Sequence, residues 1–447
     1  MYAAALSRAL LDRHHVTVLC AEYDPARSHG HLTWRVHDEI PVVEIVNNWV
    51  CDTFADTYRS PVIAARIEQV LNALQPDVVH VHNLLNLSFD LPAMARSRGI
   101  PVVATLHDYT LVCPSGGQRL HRAEGYVCHE IDTARCARCF RESPFYTQAA
   151  LGPAAGAVAR SGVLRRAVGG VRRWSPGLLQ AAAGVARRAS RFSLTEHDVA
   201  ERQASARRVF EQVNLFVAPS PSIAAEFIRL GVDTSRIRVS DYGFRRLSTV
   251  ARDTPGPRLR IGFVGTLVWH KGAHVLLDAV RRLPAEAYEL SLYGDVNVFP
   301  DYVADLRRQA EGLPVRFMGG FAADDAARVY AQMDVLVVPS LWLENSPLVI
   351  HEAFMAGVPV VGARMGGIAD LVSDGRNGRL YEATSAGELA AVLQAVVDTR
   401  SVLSDWARAL PPVKSIEDDA DAWEAIYREL CPIPRQSHGR RSYSSAR

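Results

Sequence analysis

Residues 334–340, DVLVVPS, form an unbroken apolar run closed by Pro and Ser. Such a run with turn residues at its end has the pattern of a parallel strand covered on both faces, which commits the surrounding chain to an α/β sheet. The next stretch, 341–357, reads LWLENSPLVIHEAFMAG. Asn345 or Ser346 offers a helix cap and Pro347 suits the first helical position, so a helix is expected over 347–355, with Leu348 in its first turn. Glu344 then falls in the strand-to-helix loop, beside backbone N–H groups with no partner inside the helix, and Glu352 lies over a turn further in. A helix start of this kind attracts anions through its free donors and its positive dipole end.

Strand-like runs alternate with helical patterns along the rest of the chain. Runs at 16–20, 77–82, 101–107, 215–220 and 237–242 are the expected strands of a first α/β unit, with a hairpin at 32–36 and 41–46. The turn-rich ARDTPGP at 251–257 reads as a linker. Runs at 260–264, 289–293, 315–318, 335–339 and 359–363 belong to a second unit. Two doubly wound domains are the economical reading, over 1–245 and 259–412 with a linker at 246–258, followed by a helix over 413–430 and a disordered Ser/Arg-rich tail over 431–447. With 447 residues, each domain can bury a core. A formal charge of +2 gives no case for a nucleic-acid partner. No apolar run is long enough to span a bilayer, and the first residues lack the pattern of a signal peptide, so a cytoplasmic location is the default expectation.

Further motifs fall at the ends of expected strands. In FVGTLVWHKG, 263–272, Gly265 ends a strand and lets a ligand approach the backbone, Thr266 follows it, and Lys271 opens a helix. Gly366 and Gly367, with Asp370 just beyond, make a tight strand-to-helix turn, and Gly319 to Phe321 makes another. His107 and Asp108 in ATLHDYTLVCP lie at a strand's C-terminal end, the edge where open α/β sheets bind ligands. His80 and His82 should alternate between the faces of a strand, which makes them structural. Cys113, Cys128, Cys136 and Cys139 cluster within 27 residues as C-x14-C-x7-C-x2-C. They could hold a structural Zn²⁺, form a redox-sensitive or disulfide cluster, or remain free thiols. From 151 to 195 there are eight arginines and no acidic residue. Leu164, Val168 and Val171 share a helical face with Val163 and Trp174, opposite Arg165, Arg166, Arg172 and Arg173. That face suits either an anionic membrane surface or the body of the domain.

The Glu344 and Glu352 pair, in its strand, loop and Pro-initiated helix, resembles the E-x7-E signature of the retaining glycosyltransferases of family 4. The resemblance extends over most of the chain. It implies a GT-B fold of two facing Rossmann-like domains, and donor-binding roles for Gly265, Thr266, Lys271, Glu344, Asn345, Ser346, Pro347, Leu348, Glu352, Phe321, Gly366 and Gly367. Glu344 would lie against the donor sugar, Glu352 on the ribose hydroxyls and Lys271 on the diphosphate, with His107 close to the reacting sugar as a further catalytic candidate. Thr266 stands where the family often has Arg, which shifts leaving-group charge onto Lys271 and helix N-termini. Cysteine-bearing insertions such as 113–140 occur after the HD motif in some members, and basic amphipathic surfaces serve members that glycosylate lipid-linked acceptors.

The implied activity is retaining transfer of a sugar from a nucleotide diphosphate donor to a glycan or lipid-linked acceptor. No cofactor is required, a structural zinc and a peripheral membrane contact at the inner face of the cell membrane are open, and polysaccharide or cell-envelope synthesis is the setting. An inactive nucleotide-sugar-binding remnant and a nucleotide-sugar epimerase are the alternatives. One departure supports the remnant: the chain opens with a helix over 2–13, where the family has a strand and a glycine-rich loop. Either the start codon lies further upstream or the opening is truncated.

Overall fold

The computed structural model describes residues 2–121, 123–161, 192–248, 250–251 and 256–431, without side-chain detail at 153–160. The amphipathic pattern at 163–174, positions 252–255 of the expected linker and the 432–447 tail lie outside those residues. The chain divides into two compact units. One comprises Arg13–Thr105, Pro144–Phe216 and Ala420–Arg447; the other comprises Met1–Asp12, Leu106–Ser143 and Val217–Asp419.

The opening helix, Tyr2–Leu10, is three residues shorter than its periodicity suggests. The strands that follow are β1 (Val18–Glu22), β2 (Leu32–His37), β3 (Ile40–Val46), β4 (Val79–Val81) and β5 (Val102–Thr105). β1 and β3 pair in parallel, and β2 pairs antiparallel to β3, giving a three-stranded sheet of order β1-β3-β2. β3 is its buried centre, with Val43, Ile45 and Val46 fully covered, whereas β2 is an edge that leaves Trp34 and Val36 exposed. The strands expected in a first α/β unit thus fall in two sheets, because β4 and β5 pair in parallel in a separate one. Cross-strand pairing is non-local, so apolar runs identify strands without fixing which sheet each joins.

β6 (Leu120–His121) and β7 (Tyr126–Val127) make a short hairpin. β8 (Leu215–Ala218) and β9 (Ile237–Val239) extend the order of the second sheet to β4-β5-β8-β9. In the C-terminal helix Ile416–Leu430, Trp423 lies with its ring 4.1 Å from that of His80, and the Tyr427 hydroxyl is 2.7 Å from His80 Nδ1.

The last sheet contains β10 (Leu259–Val264), β11 (Tyr288–Tyr293), β12 (Val315–Gly319), β13 (Val335–Val338), β14 (Val360–Ala363) and β15 (Gly378–Tyr381). Every pairing in it is parallel, in the order β12-β11-β10-β13-β14-β15. Helices between the strands bury both faces, which is why β13 is wholly apolar and wholly buried. Leu276, Leu277, Leu306, Ile350 and Leu393 all lie in this core. The chain builds the sheet outward from β10 to β12, then returns to the other side of β10 with β13. The reversal opens a crevice at the C-terminal ends of β10 and β13, where doubly wound sheets bind ligands.

Candidate functional site

Two loops meet at that crevice. The first leaves β10 at Gly265, whose N–H donates to the Tyr293 carbonyl at 3.0 Å, passes the exposed Thr266 and closes in a tight turn at Trp269–Lys271. Gly272 ends the turn in the left-handed region, φ 75°, and a Cβ there would stand 1.8 Å from the Pro339 carbonyl oxygen. Only glycine allows this close approach to the second loop. The Leu341 N–H completes the join by donating to the His270 carbonyl at 2.8 Å.

The second loop leaves β13 and presents Glu344. Lys271 Nζ donates to Glu344 Oε1 at 2.6 Å, and the Ser340 hydroxyl donates to the same oxygen at 2.7 Å. The carboxylate side chain is 6% exposed and the lysine side chain 28%, so this is a largely desolvated ion pair with one end open to solvent. Trp342 presents its ring to the same ammonium, 5.2 Å from the centroid. The two residues singled out for diphosphate and for sugar therefore touch each other, although 73 positions separate them.

A third loop, from β14, fixes the position of Glu344. The Gly367 N–H donates to the Glu344 carbonyl at 2.7 Å, and a Cβ on Gly367 would lie 1.9 Å from the Asn345 carbonyl oxygen. Gly366 packs on the Glu344 backbone in the same way. Asp370 accepts a hydrogen bond from the Ser222 N–H at 2.9 Å.

The helix after Glu344 is Leu348–Met355, one residue shorter than expected. Pro347 is its cap, with ψ 116°, and neither Asn345 nor Ser346 caps it. Both side chains are engaged elsewhere: Asn345 Nδ2 donates to the His107 carbonyl, and the Ser346 hydroxyl bonds to Asp241 Oδ1 and His351 Nε2, each at 2.8 Å. Asn345 Oδ1 is buried without a hydrogen-bond partner among the described residues. Further along this helix, Glu352 accepts a hydrogen bond from Tyr330 at 2.8 Å. Burial raises the Glu352 carboxyl above its ordinary range and the tyrosine hydrogen bond only partly offsets that shift.

His107 follows β5. Its Nδ1 is 2.8 Å from the Tyr242 hydroxyl, and the two rings stack at 5.3 Å with the Tyr2 ring edge-on to His107. Phe321 is partly exposed after β12 and packs against Tyr293. Hydrogen bonds and close backbone packing thus join Lys271, Glu344, Asn345, Gly366, Gly367 and His107, with Ser346 beside Asn345 and Pro347, Leu348 and Glu352 at the cap and in the helix that follows. Gly265 and Thr266 belong to the Lys271 loop, and Phe321 sits on a neighbouring strand end. Sequence reasoning missed Ser340, Tyr330, Asp241, Tyr242 and His351. Ser340 closes the DVLVVPS run and could have been found there; the others carry no spacing signal.

One expectation, for the histidine pair, changes. β4 ends at Val81, so His82 lies beyond the strand and the alternation of faces does not apply to it. The His80 and His82 rings lie 4.1 Å apart, and burial lowers His82 to about 4. His80 Nε2 reaches the Thr105 hydroxyl at 2.8 Å. No disulfide joins Cys113, Cys128, Cys136 or Cys139 in the structure. They are near enough to interact electrostatically, and burial, followed by these neighbours, pushes Cys128 up to about 11 and Cys136 up to about 12. Among the described residues no three His, Cys, Asp or Glu side chains are gathered closely enough to hold a metal ion, and no helix is long and apolar enough to cross a membrane.

Residues 258–399 match the family described as "Glycosyl transferases group 1", and residues 1–140 match "Glycosyltransferase Family 4". The D-inositol 3-phosphate glycosyltransferase of Arthrobacter sp. is 28% identical over 218 residues, 45% of this chain and 52% of that protein. The chain spans about half the length of this curated relative. Among solved structures, Anabaena HepE in complex with UDP and glucose superposes with a TM-score of 0.53 at 18% identity, over 88% of this chain and 86% of that one. Sucrose-phosphate synthase from Thermosynechococcus elongatus gives a TM-score of 0.58 at 15% identity, over 96% and 90%. At these identities the likeness is one of fold, the GT-B architecture.

Proposed function

Starting from a chain that belongs to the family 4 glycosyltransferases and has the GT-B fold, we propose that it is a retaining, metal-independent transferase that moves a sugar from a nucleotide diphosphate donor to a glycan or lipid-linked acceptor. The observation that carries the reading is the Lys271–Glu344 pair, formed by the loops on either side of the sheet's reversal point. A diphosphate bound there gains a charge-assisted hydrogen bond from Lys271, and the partly exposed ammonium can turn toward it without leaving the crevice. Glu344, released from full pairing, accepts hydrogen bonds from sugar hydroxyls. Glu352 accepts from the ribose, and His107 lies against the sugar ring.

In this reading the donor's own departing phosphate assists attack on the same face. Catalysis then needs no protein nucleophile and rests on positioning and on stabilising leaving-group charge. Thr266 supplies a hydroxyl and no charge, so the cationic burden falls on Lys271 and on nearby helix N-termini. A cytoplasmic setting at the inner membrane face, in polysaccharide or cell-envelope synthesis, completes the proposal; Phe321 would flank the base.

The test is a panel of nucleotide sugars offered in EDTA, with product anomers read by NMR. At least one donor should be consumed with retention of configuration, and Lys271→Ala should reduce turnover more than tenfold, the equivalent of the roughly 1.5–3 kcal/mol of a charge-assisted hydrogen bond. Inverted product, or a Lys271→Ala variant with normal kinetics, overturns the proposal.

A further inference from the structure

The segment following β9 carries consecutive residues that reach two parts of the site. Asp241 Oδ1 accepts hydrogen bonds from the Ser346 hydroxyl and from the Tyr242 N–H, each at 2.8 Å, and Asp241 Oδ2 lies 3.3 Å from His351 Nε2. Tyr242 meets His107 Nδ1 at 2.8 Å. The segment is itself anchored. Lys414 Nζ donates to the Asp241 carbonyl at 3.1 Å and to the Ser240 hydroxyl at 3.0 Å. Phe244 pairs its backbone with 414–416 and stacks on the His351 ring at 4.6 Å. A side chain on Gly243 would collide with Asp419 Cβ at 2.4 Å and with the Ser415 carbonyl at 2.6 Å.

The chemistry of Tyr242 determines the direction of its hydrogen bond. Tyr242 is 5% exposed, and a buried phenol favours donating its proton to a neighbouring acceptor. Among the described residues its only side-chain hydrogen bond is to His107 Nδ1. A donated proton there leaves the imidazole hydrogen on Nε2, so His107 presents an N–H donor, and not a lone pair, on the side away from Tyr242. The stacked ring lies against the imidazole, and the Asn345 amide donates to the backbone carbonyl of the same residue.

We propose that Asp241 and Tyr242 are a pair of positioning residues for the transfer reaction: Tyr242 fixes the His107 ring as its Nε2–H tautomer, and Asp241 holds the loop of Glu344 through Ser346. This rests on the transferase reading above. The two arms act on different quantities. Tyr242 orients a donor used at the reacting sugar, whereas Asp241 preorganises the loop that first receives the nucleotide sugar.

The test uses the full chain. Nitrogen NMR of labelled histidines, with His107 assigned from a His107→Asn variant, should show a protonated Nε2 and a bare Nδ1 at mildly basic pH. In Tyr242→Phe the two tautomers should mix while the thermal unfolding midpoint stays close to that of the parent. The same variant should lower kcat roughly five- to tenfold, the loss expected for one hydrogen bond, with donor KM changed less than about twofold. In a His107→Ala background it should change kcat by less than about twofold, because its only route to the chemistry is gone. Asp241→Ala, or Asp241→Asn if the first variant does not fold, should instead raise donor KM and leave the His107 tautomer intact. A His107 still locked in Tyr242→Phe, or a Tyr242 effect that persists without His107, overturns the inference. If the parent turns over no nucleotide sugar, the transferase reading falls, while the tautomer spectra still decide whether Tyr242 sets His107.

Discussion

The Lys271–Glu344 pair allows two roles to be separated by one thermodynamic cycle. Lys271→Ala removes the cation from a carboxylate whose side chain is 6% exposed and leaves it the Ser340 hydroxyl at 2.7 Å. Breaking a fully buried pair costs about 3–5 kcal/mol, because the remaining charge is desolvated without a partner. Here water reaches the lysine end, 28% exposed, so about 2–3 kcal/mol of stability is the expected loss. Glu344→Gln should cost less, since the amide oxygen can still accept from Ser340 and the freed ammonium can hydrate. The double variant should recover part of the lysine loss, with a coupling of about 1.5–2 kcal/mol in urea unfolding of the four proteins. Binding of UDP, ADP and GDP by calorimetry provides the second axis. Lys271→Ala should weaken the preferred diphosphate more than tenfold. Glu344→Gln should leave that affinity equal or tighter, because Lys271 no longer divides its charge between carboxylate and phosphate, yet transfer should collapse. Equal loss of diphosphate affinity in the two single variants would refute this reasoning and make the pair a structural brace.

Glu352→Gln should raise stability at neutral pH while lowering nucleotide affinity; the gain should fade as pH falls from the raised pKa of the folded chain to the ordinary carboxyl range, because a carboxyl raised by burial is costly only when ionised. Thermal melts across pH check this, and destabilisation at neutral pH would refute it. His82, lowered from 6.5 to about 4 by burial, should contribute up to about 3 kcal/mol of stability that is present above pH 6.5 and lost as pH falls toward 4, less whatever solvent reaches the ring. His82→Gln should flatten that acid limb, and an unchanged limb would place the titrating group elsewhere. For the four thiols, structural zinc stands as a proposal: elemental analysis of protein purified without chelator should find about one zinc per chain, and metal-free, fully folded protein would reject it.

The legible parts of this molecule were those with a local signal. Strands β10 to β14 are apolar runs bounded by turn residues, and they appear within a residue or so of the positions their sequence implies. β15 was not legible, because GRLY has no apolar run. It is held from outside, by pairing with β14 and by Asp374 Oδ1, which accepts from the Leu380 N–H at 2.9 Å. The division of β1–β5 between two sheets was illegible for a related reason, since it depends on partners remote in sequence. At the site, composition placed Glu344, Lys271 and the paired glycines in loops between strand and helix, and the family resemblance implied their roles. That Lys271 and Glu344 touch depends on which strands lie adjacent at the sheet's reversal, and that Asp241 and Tyr242 reach Ser346 and His107 depends on segments remote in sequence.

The same helix start places two carboxylates under different physical terms. Glu344 is buried more deeply, and Lys271 and Ser340 stabilise its charge. Among the described residues Glu352 is bonded by the hydroxyl of Tyr330, itself fully buried and pushed well above its usual range, so it can act as donor and cannot share the charge. A glutamine would fit the same hydrogen bond without the desolvation cost. An ionisable acid retained there destabilises the folded chain, and under the proposed function it would supply an acceptor strong enough to hold two vicinal hydroxyls of a ribose. On this argument the two glutamates are not interchangeable. Glu344 should tolerate exchange to aspartate poorly, because it must reach both the ammonium and the sugar. Glu352 should lose function even with the isosteric amide, because what it contributes is its charge.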